Sequence, residues 1–264
     1  MNNELQSLLD GCNVLADSLK VLHRLGGFYQ CPKDSEGNRL GPLVGYAGTY
    51  ENETGQKVQF VGDVYANLAK AEEWPDLLFA WSCSFPAKIF ECCREDVGNL
   101  VLCAAPLGGM TWGPILSFVL HSRYTFPEKK VTAVKSDQGR EKSEMVFSRH
   151  GIKFGDRVII CEDVCNNFST TADLIAKIEV LGGQVVAIVC LLNRSVKFDD
   201  DYPYQSQMNP NETQLIPVVS LIRQAIPEYK QDDSEVVKDI TDGNVIWKPK
   251  DKEGWAKLMQ AMNS

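Results

Sequence analysis

Apolar residues at Leu5, Leu8, Leu9, Cys12, Leu15, Leu19 and Leu22 keep the spacing of one helical face, which predicts a helix over residues 3 to 25 that Gly26-Gly27 ends. From Phe28 to about Asn67 the pattern changes to short apolar bursts, LVGYAGTY and KVQFVGDVY, set among Gly, Tyr and Asn. This predicts hairpin-like strands around the turn-prone ENETG. The stretch 84 to 98 predicts another helix.

A regular alternation then begins. LVLCAAPLGGM is a buried strand running into a glycine turn, TWGPILSFVLHSRY a helix, and KKVTAV a further strand before the charged stretch KSDQGREKSE. RVIICEDV is a strand, TTADLIAKIEVLGG a helix with a Gly-Gly stop, and QVVAIVCLLNRS a strand of continuous Val, Ile and Leu. Strands that are apolar along their whole length and alternate with helices predict a parallel sheet covered on both faces. Past Arg194 the chain turns polar through KFDDDYPYQSQMNPNETQ. One more short strand, LIPVVSLI, precedes an amphipathic tail carrying Trp247 and Trp255. A single α/β domain with N-terminal and C-terminal additions accounts for this order.

Composition narrows the class. The chain has 264 residues, 44% of them hydrophobic, enough for a proper core. No apolar run approaches the ~20 residues that span a bilayer, and the N-terminal MNNELQSLLDGCNVLADSL is acidic and amphipathic, unlike a signal or transit peptide. The net charge of −8 argues against a general nucleic-acid binder. Nine cysteines form an odd set, several inside apolar runs (Cys103, Cys161, Cys190), which predicts a reduced, cytoplasmic protein. Cys92-Cys93 and the Cys161/Cys165 spacing have no second Cys/His pair at zinc spacing, and His23, His121 and His150 stand far apart.

The chemistry concentrates in VIICEDVCNNFSTTADLI, residues 158 to 175. Ligands of open parallel sheets bind at the carboxyl ends of strands, and Glu162 and Asp163 are expected where this strand stops. Adjacent strand residues face opposite ways, whereas a loop beginning here would let both carboxylates reach neighbouring hydroxyls of one sugar. Asn166, Asn167, Ser169, Thr170 and Thr171 then open a helix, whose free N–H groups favour a phosphate. An acidic strand end or an Asn/Ser/Thr cap alone is an ordinary βα turn; the order of the whole segment is more specific.

That order resembles the signature of the type I phosphoribosyltransferases: four apolar residues, two acids, then a short Thr/Gly-rich loop opening a helix. From Glu162 to Val186 the match to the family's strand–loop–helix–strand unit needs no gap. The resemblance implies that Glu162 and Asp163 hold the ribose 2′ and 3′ hydroxyls of phosphoribosyl pyrophosphate (PRPP), and that Asn166, Asn167, Phe168, Ser169, Thr170 and Thr171 wrap its 5′-phosphate. Phe168 departs from the family, which places glycine in this loop for its freedom of backbone; Asn167, tolerant of left-handed conformations, partly substitutes. CAAPLGGMTWG resembles the family's pyrophosphate loop, which assigns Leu107, Gly108 and Gly109 to the pyrophosphate, with Lys130 of the basic segment that follows. YTFPEKKVTAVKSDQGREK lies where the orotate branch carries basic residues and a mobile lid. This gives Lys129 a catalytic part and Lys135, Arg140 and Lys142 to the lid, while His150 is expected at the surface.

The resemblance implies a type I phosphoribosyltransferase-like parallel sheet flanked by helices within one domain, 1–264. In it, 1–75 form an N-terminal helix and a small hood over the base, 76–225 the α/β core, and 226–264 a C-terminal extension. The implied reaction displaces pyrophosphate from ribose C1 by a base nitrogen, orotate first, as in pyrimidine biosynthesis, with Mg²⁺ bridging pyrophosphate and ribose and with electrostatics and positioning carrying catalysis. Homodimerisation is the family's habit. The partners implied are PRPP and a nucleobase, with no nucleic acid and no membrane. A non-catalytic PRPP- or nucleotide-binding regulator on the same fold is the alternative, favoured by Phe168 and the sparse lid lysines. A dinucleotide-binding enzyme is disfavoured, since no G-x-G-x-x-G opens a helix after an early strand.

Overall fold

The computed structural model, which describes residues 3–93, 100–133, 142–209 and 211–263, breaks the expected N-terminal helix into α1 (Asn3–Leu8) and α2 (Ser18–Arg24). Gly11 takes a left-handed φ of 71°, and Asn13 Oδ1 accepts from the amides of Leu15 and Ala16, both at 3.1 Å. A local side-chain cap of this kind competes with a continuing helix. There follow β1 (Phe28–Gln30), β2 (Leu43–Glu51), β3 (Lys57–Gly62), β4 (Val64–Ala66) and α3 (Ala69–Glu72). The hairpin expected around ENETG forms between β2 and β3, with Asn52 Oδ1 accepting from the amides of Thr54 and Gln56.

The α/β stretch runs α4 (Pro75–Ser82), α5 (Phe85–Cys93), β5 (Leu100–Ala104), α6 (Gly109–Val119), β6 (Arg123–Thr125), β7 (Glu128–Ala133), β8 (Lys142–Val146), β9 (Arg157–Cys165), α7 (Ser169–Val180), β10 (Gln184–Asn193), β11 (Asp201–Gln205) and β12 (Thr213–Arg223). The tail holds α8 (Val237–Thr241), β13 (Val245–Ile246) and α9 (Lys252–Met262).

These elements divide into two compact units. One contains Asn13–Ser18 and Trp74–Ala225; the other contains Glu4–Cys12, Leu19–Glu73 and Ile226–Ser264. The flanking segments expected as separate additions thus make up one unit. Its cohesion has a visible cause: β13 adds in parallel to β2, and Trp255 and Leu258 of α9 pack with Tyr29, Val44 and Tyr46.

In the first unit, the described residues form a six-stranded sheet in the order β11-β12-β10-β9-β5-β6. The pairs β12/β10, β10/β9, β9/β5 and β5/β6 are parallel, and β11 closes one edge antiparallel to β12. The parallel α/β sheet flanked by helices is therefore the fold: α6 packs on β5 and β9, α7 on β10, and α5 on β10 and β12. Two short strands escaped the hydrophobic pattern. Arg123–Thr125, expected as a helix end, is the strand β6, with His121 at a left-handed φ of 51° closing the helix before it. The polar DYPYQ forms β11. The strand expected at KKVTAV is β7 as far as Ala133, and among the described residues it pairs only with β8, as a ribbon.

Candidate functional site

The chain enters the sheet at β5, moves outward to β6, and returns through β9 on the other side of β5 before continuing to β10 and β12. The strand order therefore reverses between β5 and β9, and their carboxyl ends border the crevice where open α/β sheets take ligands. Glu162 and Asp163 stand on this border. One expectation is corrected: β9 does not stop at the acids but continues to Cys165, with Cys190 opposite Glu162 and Asn193 opposite Cys165 on β10. Its pairing with β5 ends earlier, at Ala104 and Cys161, so the side of β9 facing the crevice opens just before the acids.

Because the strand persists, the two carboxylates point to opposite faces. Asp163 shares the face of Cys161, whose thiol lies 3.8 Å from the Gly109 carbonyl, and is half-buried toward the start of α6. Glu162 shares the face of Ile160, in the hydrophobic cluster under α7, and is buried. The backbone between them is pinned by the buried Trp112, whose Nε1–H donates to the Glu162 carbonyl at 3.0 Å.

The glycine turn after β5 meets these acids directly. A side chain at Gly108 would overlap the Asp163 carboxylate, and one at Gly109 would overlap the Cys161 carbonyl. Only glycine lets the turn approach the strand this closely. Leu107 is exposed, the peptide bond from Pro106 to Leu107 is cis, and Thr111 Oγ1 donates to the Gly108 carbonyl at 2.8 Å. The structure thus brings Gly108 and Gly109 together with Glu162 and Asp163.

After Cys165 the chain turns into α7 through a left-handed residue, and that residue is Phe168, with φ 59° and ψ 19°. Its ring points away from the turn into the core, leaving it 3% exposed, stacked on Tyr202 and edge-on to Phe198. The bulk that seemed misplaced in this loop is therefore below it. A left-handed residue followed by a right-handed one turns successive N–H groups toward one side, making an anion-binding concavity. Here that pattern covers the amides of Phe168, Ser169 and Thr170. The Ser169 amide and hydroxyl donate to Asn167 Oδ1 at 3.1 and 3.0 Å. Ala172 is the first residue of α7 to donate back, to Phe168, so the amides of Thr170 and Thr171 have no acceptor within the helix. Asn166 is half-buried, Asn167 and Ser169 are exposed, and Thr171 is buried.

The basic residues lie on the ribbon. Lys130 is exposed opposite Glu144; the hydrogen bond from Ser148 holds the Glu128 carboxyl below its usual range, with Arg149 and lastly Lys130 adding to it. Lys135 and Arg140 lie outside the described residues, as do the side chains of Lys129 and Lys142. His150 is exposed as expected. Sequence reasoning missed Trp112, Phe198 and Tyr202; the signal for the last two was the three aromatics inside the acidic KFDDDYPY.

No family model matches the chain. Its sequence resembles proteins named orotate phosphoribosyltransferase: one from Sulfurovum is 34% identical over 93 residues (35% of this chain, 41% of the relative), and one from Campylobacter lari 29% over 132 (50% and 59%). A third, from Campylobacter jejuni, is 30% identical over 148 residues (56% and 64%). The chain thus spans 41 to 64% of the length of these relatives. Among solved structures, orotate phosphoribosyltransferase from Aeropyrum pernix aligns with a TM-score of 0.44 at 15% identity, covering 77% of this chain and 92% of that one. Adenine phosphoribosyltransferase from Thermoanaerobacter pseudethanolicus aligns at 0.41 and 17%, covering 67% and 94%.

Proposed function

We propose that the protein is a phosphoribosyltransferase that moves the ribose 5-phosphate of PRPP onto a nitrogenous base, orotate first, and releases pyrophosphate. One observation carries the reading: at the β5/β9 reversal, a glycine turn lies against a paired acidic strand end that leads straight into a helix N-terminus. The names of the sequence relatives support it.

In this reading the base nitrogen bonds to ribose C1 while the C1–O bond to pyrophosphate breaks, and the base's N–H proton passes to solvent. Asp163, on the face of the glycine turn, takes the ribose hydroxyls directly or through a metal, while Glu162, buried on the opposite face, holds the strand end that carries it. The turn at Leu107, Gly108 and Gly109 offers backbone amides to the pyrophosphate. Asn166 to Thr171 wrap the 5′-phosphate, whose charge the helix start favours. Lys129 and Lys130 neutralise the leaving group.

Among the described residues no three His, Cys, Asp or Glu side chains converge to cage a metal. The single carboxylate of Asp163 fits Mg²⁺ that keeps substrate oxygens and water as its other ligands. When bound it would offset the charge building on the leaving oxygens. A homodimer in the cytoplasm completes the proposal; no helix among the described residues is long and apolar enough to cross a membrane.

A non-catalytic regulator that binds PRPP or a nucleotide is the second reading. The Asn167 contact favours it, since an amide oxygen already accepts from Ser169 where a phosphate would compete. Calorimetric titration of PRPP with Mg²⁺ into the wild type and Asp163→Asn tests the site. Micromolar binding weakened at least about tenfold (~1.4 kcal/mol) supports it, and absence of binding sinks both readings. Pyrophosphate release on adding orotate or another base then separates enzyme from regulator.

A further inference from the structure

We infer that Tyr202, backed by Phe198, is a positioning residue for the turn that opens α7, holding Phe168 left-handed so that its amides present themselves to the 5′-phosphate. The inference rests on the proposed PRPP site.

A left-handed conformation is unfavourable for a residue with a side chain, because its Cβ crowds the backbone. Locally, Asn167 Oδ1 spans the turn by accepting from the Ser169 amide and hydroxyl; the Phe168 ring itself is held from thirty or more residues away in sequence. The Phe168 ring stacks on Tyr202 at 4.9 Å between centroids and 11° between planes. Phe198 closes the group edge-on to both, 5.5 Å from Phe168 and 5.2 Å from Tyr202. Both the aromatic contacts and the burial of the ring favour this placement. The cluster holds the backbone against that preference, and removing the Tyr202 ring takes away its stacked contact. Both partners are fixed: Tyr202 is opposite Ile216 in the β11/β12 pair, and the Phe198 carbonyl accepts from the buried Asn193 side chain at 3.0 Å. Where glycine would adopt the turn unaided, this chain holds it from below with an aromatic clamp.

The test is calorimetry with Mg²⁺ and PRPP, ribose 5-phosphate or pyrophosphate on the wild type, Asp163→Asn, Tyr202→Leu, Tyr202→Phe, Phe168→Gly and the Phe168→Gly/Tyr202→Leu double variant. With PRPP binding established by the wild type and Asp163→Asn, Tyr202→Leu is expected to weaken PRPP and ribose 5-phosphate about fivefold or more, the factor set by roughly 1 kcal/mol of left-handed cost. Pyrophosphate, which lacks the 5′-phosphate, keeps its affinity. Tyr202→Phe retains the ring and the wild-type affinity. In the Phe168→Gly background the Tyr202→Leu penalty disappears, because glycine does not need the clamp. An unchanged PRPP affinity in folded Tyr202→Leu, an equal loss for pyrophosphate, or the same penalty in both backgrounds overturns the inference and leaves the site reading standing. Failure of the wild type to bind PRPP overturns both. If Tyr202→Leu does not fold, Phe198→Leu, which removes only the edge-on contacts, is read against the same outcomes.

Discussion

Gly108 lies so close to Asp163 that a single methyl group on the glycine would occupy the space of the aspartate carboxylate. Its neighbour Gly109 is equally tight against β9, but there the obstacle is the Cys161 backbone carbonyl. The two contacts make the turn after β5 and the end of β9 one structural piece, and they differ in what can give way.

Gly108→Ala meets a side chain that can rotate, so the fold survives and Asp163 is displaced. We expect PRPP affinity to fall about tenfold or more with little change in denaturation midpoint. Gly109→Ala meets backbone that the sheet holds, and overpacking of this kind costs about 1–3 kcal/mol of stability. Urea unfolding of both variants beside PRPP calorimetry checks the contrast. Equal stability losses for the two would refute it.

Trp112→Phe removes one donor from the Glu162 carbonyl while keeping most of the ring that packs 5.2 Å from Phe85. A buried hydrogen bond contributes about 1 kcal/mol net. We expect a loss of that order in urea unfolding followed by circular dichroism, and a weaker response of PRPP binding to Asp163→Asn, because the strand end is no longer pinned. An unchanged midpoint would mean that the indole contact contributes nothing.

The parallel strands were legible because burial on both faces writes continuous Val, Ile and Leu into them, as in β9 and β10. The acidic pair and the glycine turn were legible through their order along the chain. What the pattern hid has physical causes. β11 is an edge strand of polar DYPYQ, and β6 is three residues long with an exposed arginine. The break between α1 and α2 depends on Asn13 capping amides two and three residues on, a contact that apolar spacing does not encode. That β9 runs past Asp163 follows from its pairing with β10, which is tertiary information. Phe168 gave the clearest mismatch between sequence and structure. Local preference opposes its left-handed backbone, and its ring packs on Phe198 and Tyr202, distant in sequence.

Cys92 and Cys93 end α5 with their sulfurs 3.8 Å apart. The hydrogen bond from Cys93 pulls the exposed Cys92 thiol down to about 7, while the same contact and burial push Cys93 up. The thiolate is the reactive form, so Cys92 gains reactivity as pH rises through 7, below the range of an ordinary cysteine. Iodoacetamide labelling read by peptide mass should give a Cys92 midpoint near pH 7 that moves upward in Cys93→Ala. A profile that is the same with and without Cys93 would show that the pair does not share a proton in this way.

Asn193 ends β10 fully buried, and its side chain makes three contacts: Nδ2 donates to the carbonyls of Phe198 at 3.0 Å and Asp199 at 2.9 Å, while Oδ1 accepts from the Ser195 amide at 3.1 Å. Arg223 ties the same loop from β12, donating to the carbonyls of Asn193 and Ser195 and pairing with Asp199. Asn193→Ala strands three backbone groups at once, and each buried group left without a partner costs about 1–3 kcal/mol. Water entering the vacated space recovers part of this, so we expect a net loss of about 2–4 kcal/mol and faster proteolysis between Arg194 and Asp200. Because the loop carries Phe198 against Phe168, PRPP affinity should fall with it. Arg223→Lys, which keeps a charge for Asp199 but not the fork of donors, should give the same changes in smaller measure. A loop that resists protease in Asn193→Ala would mean that Arg223 alone suffices to hold it.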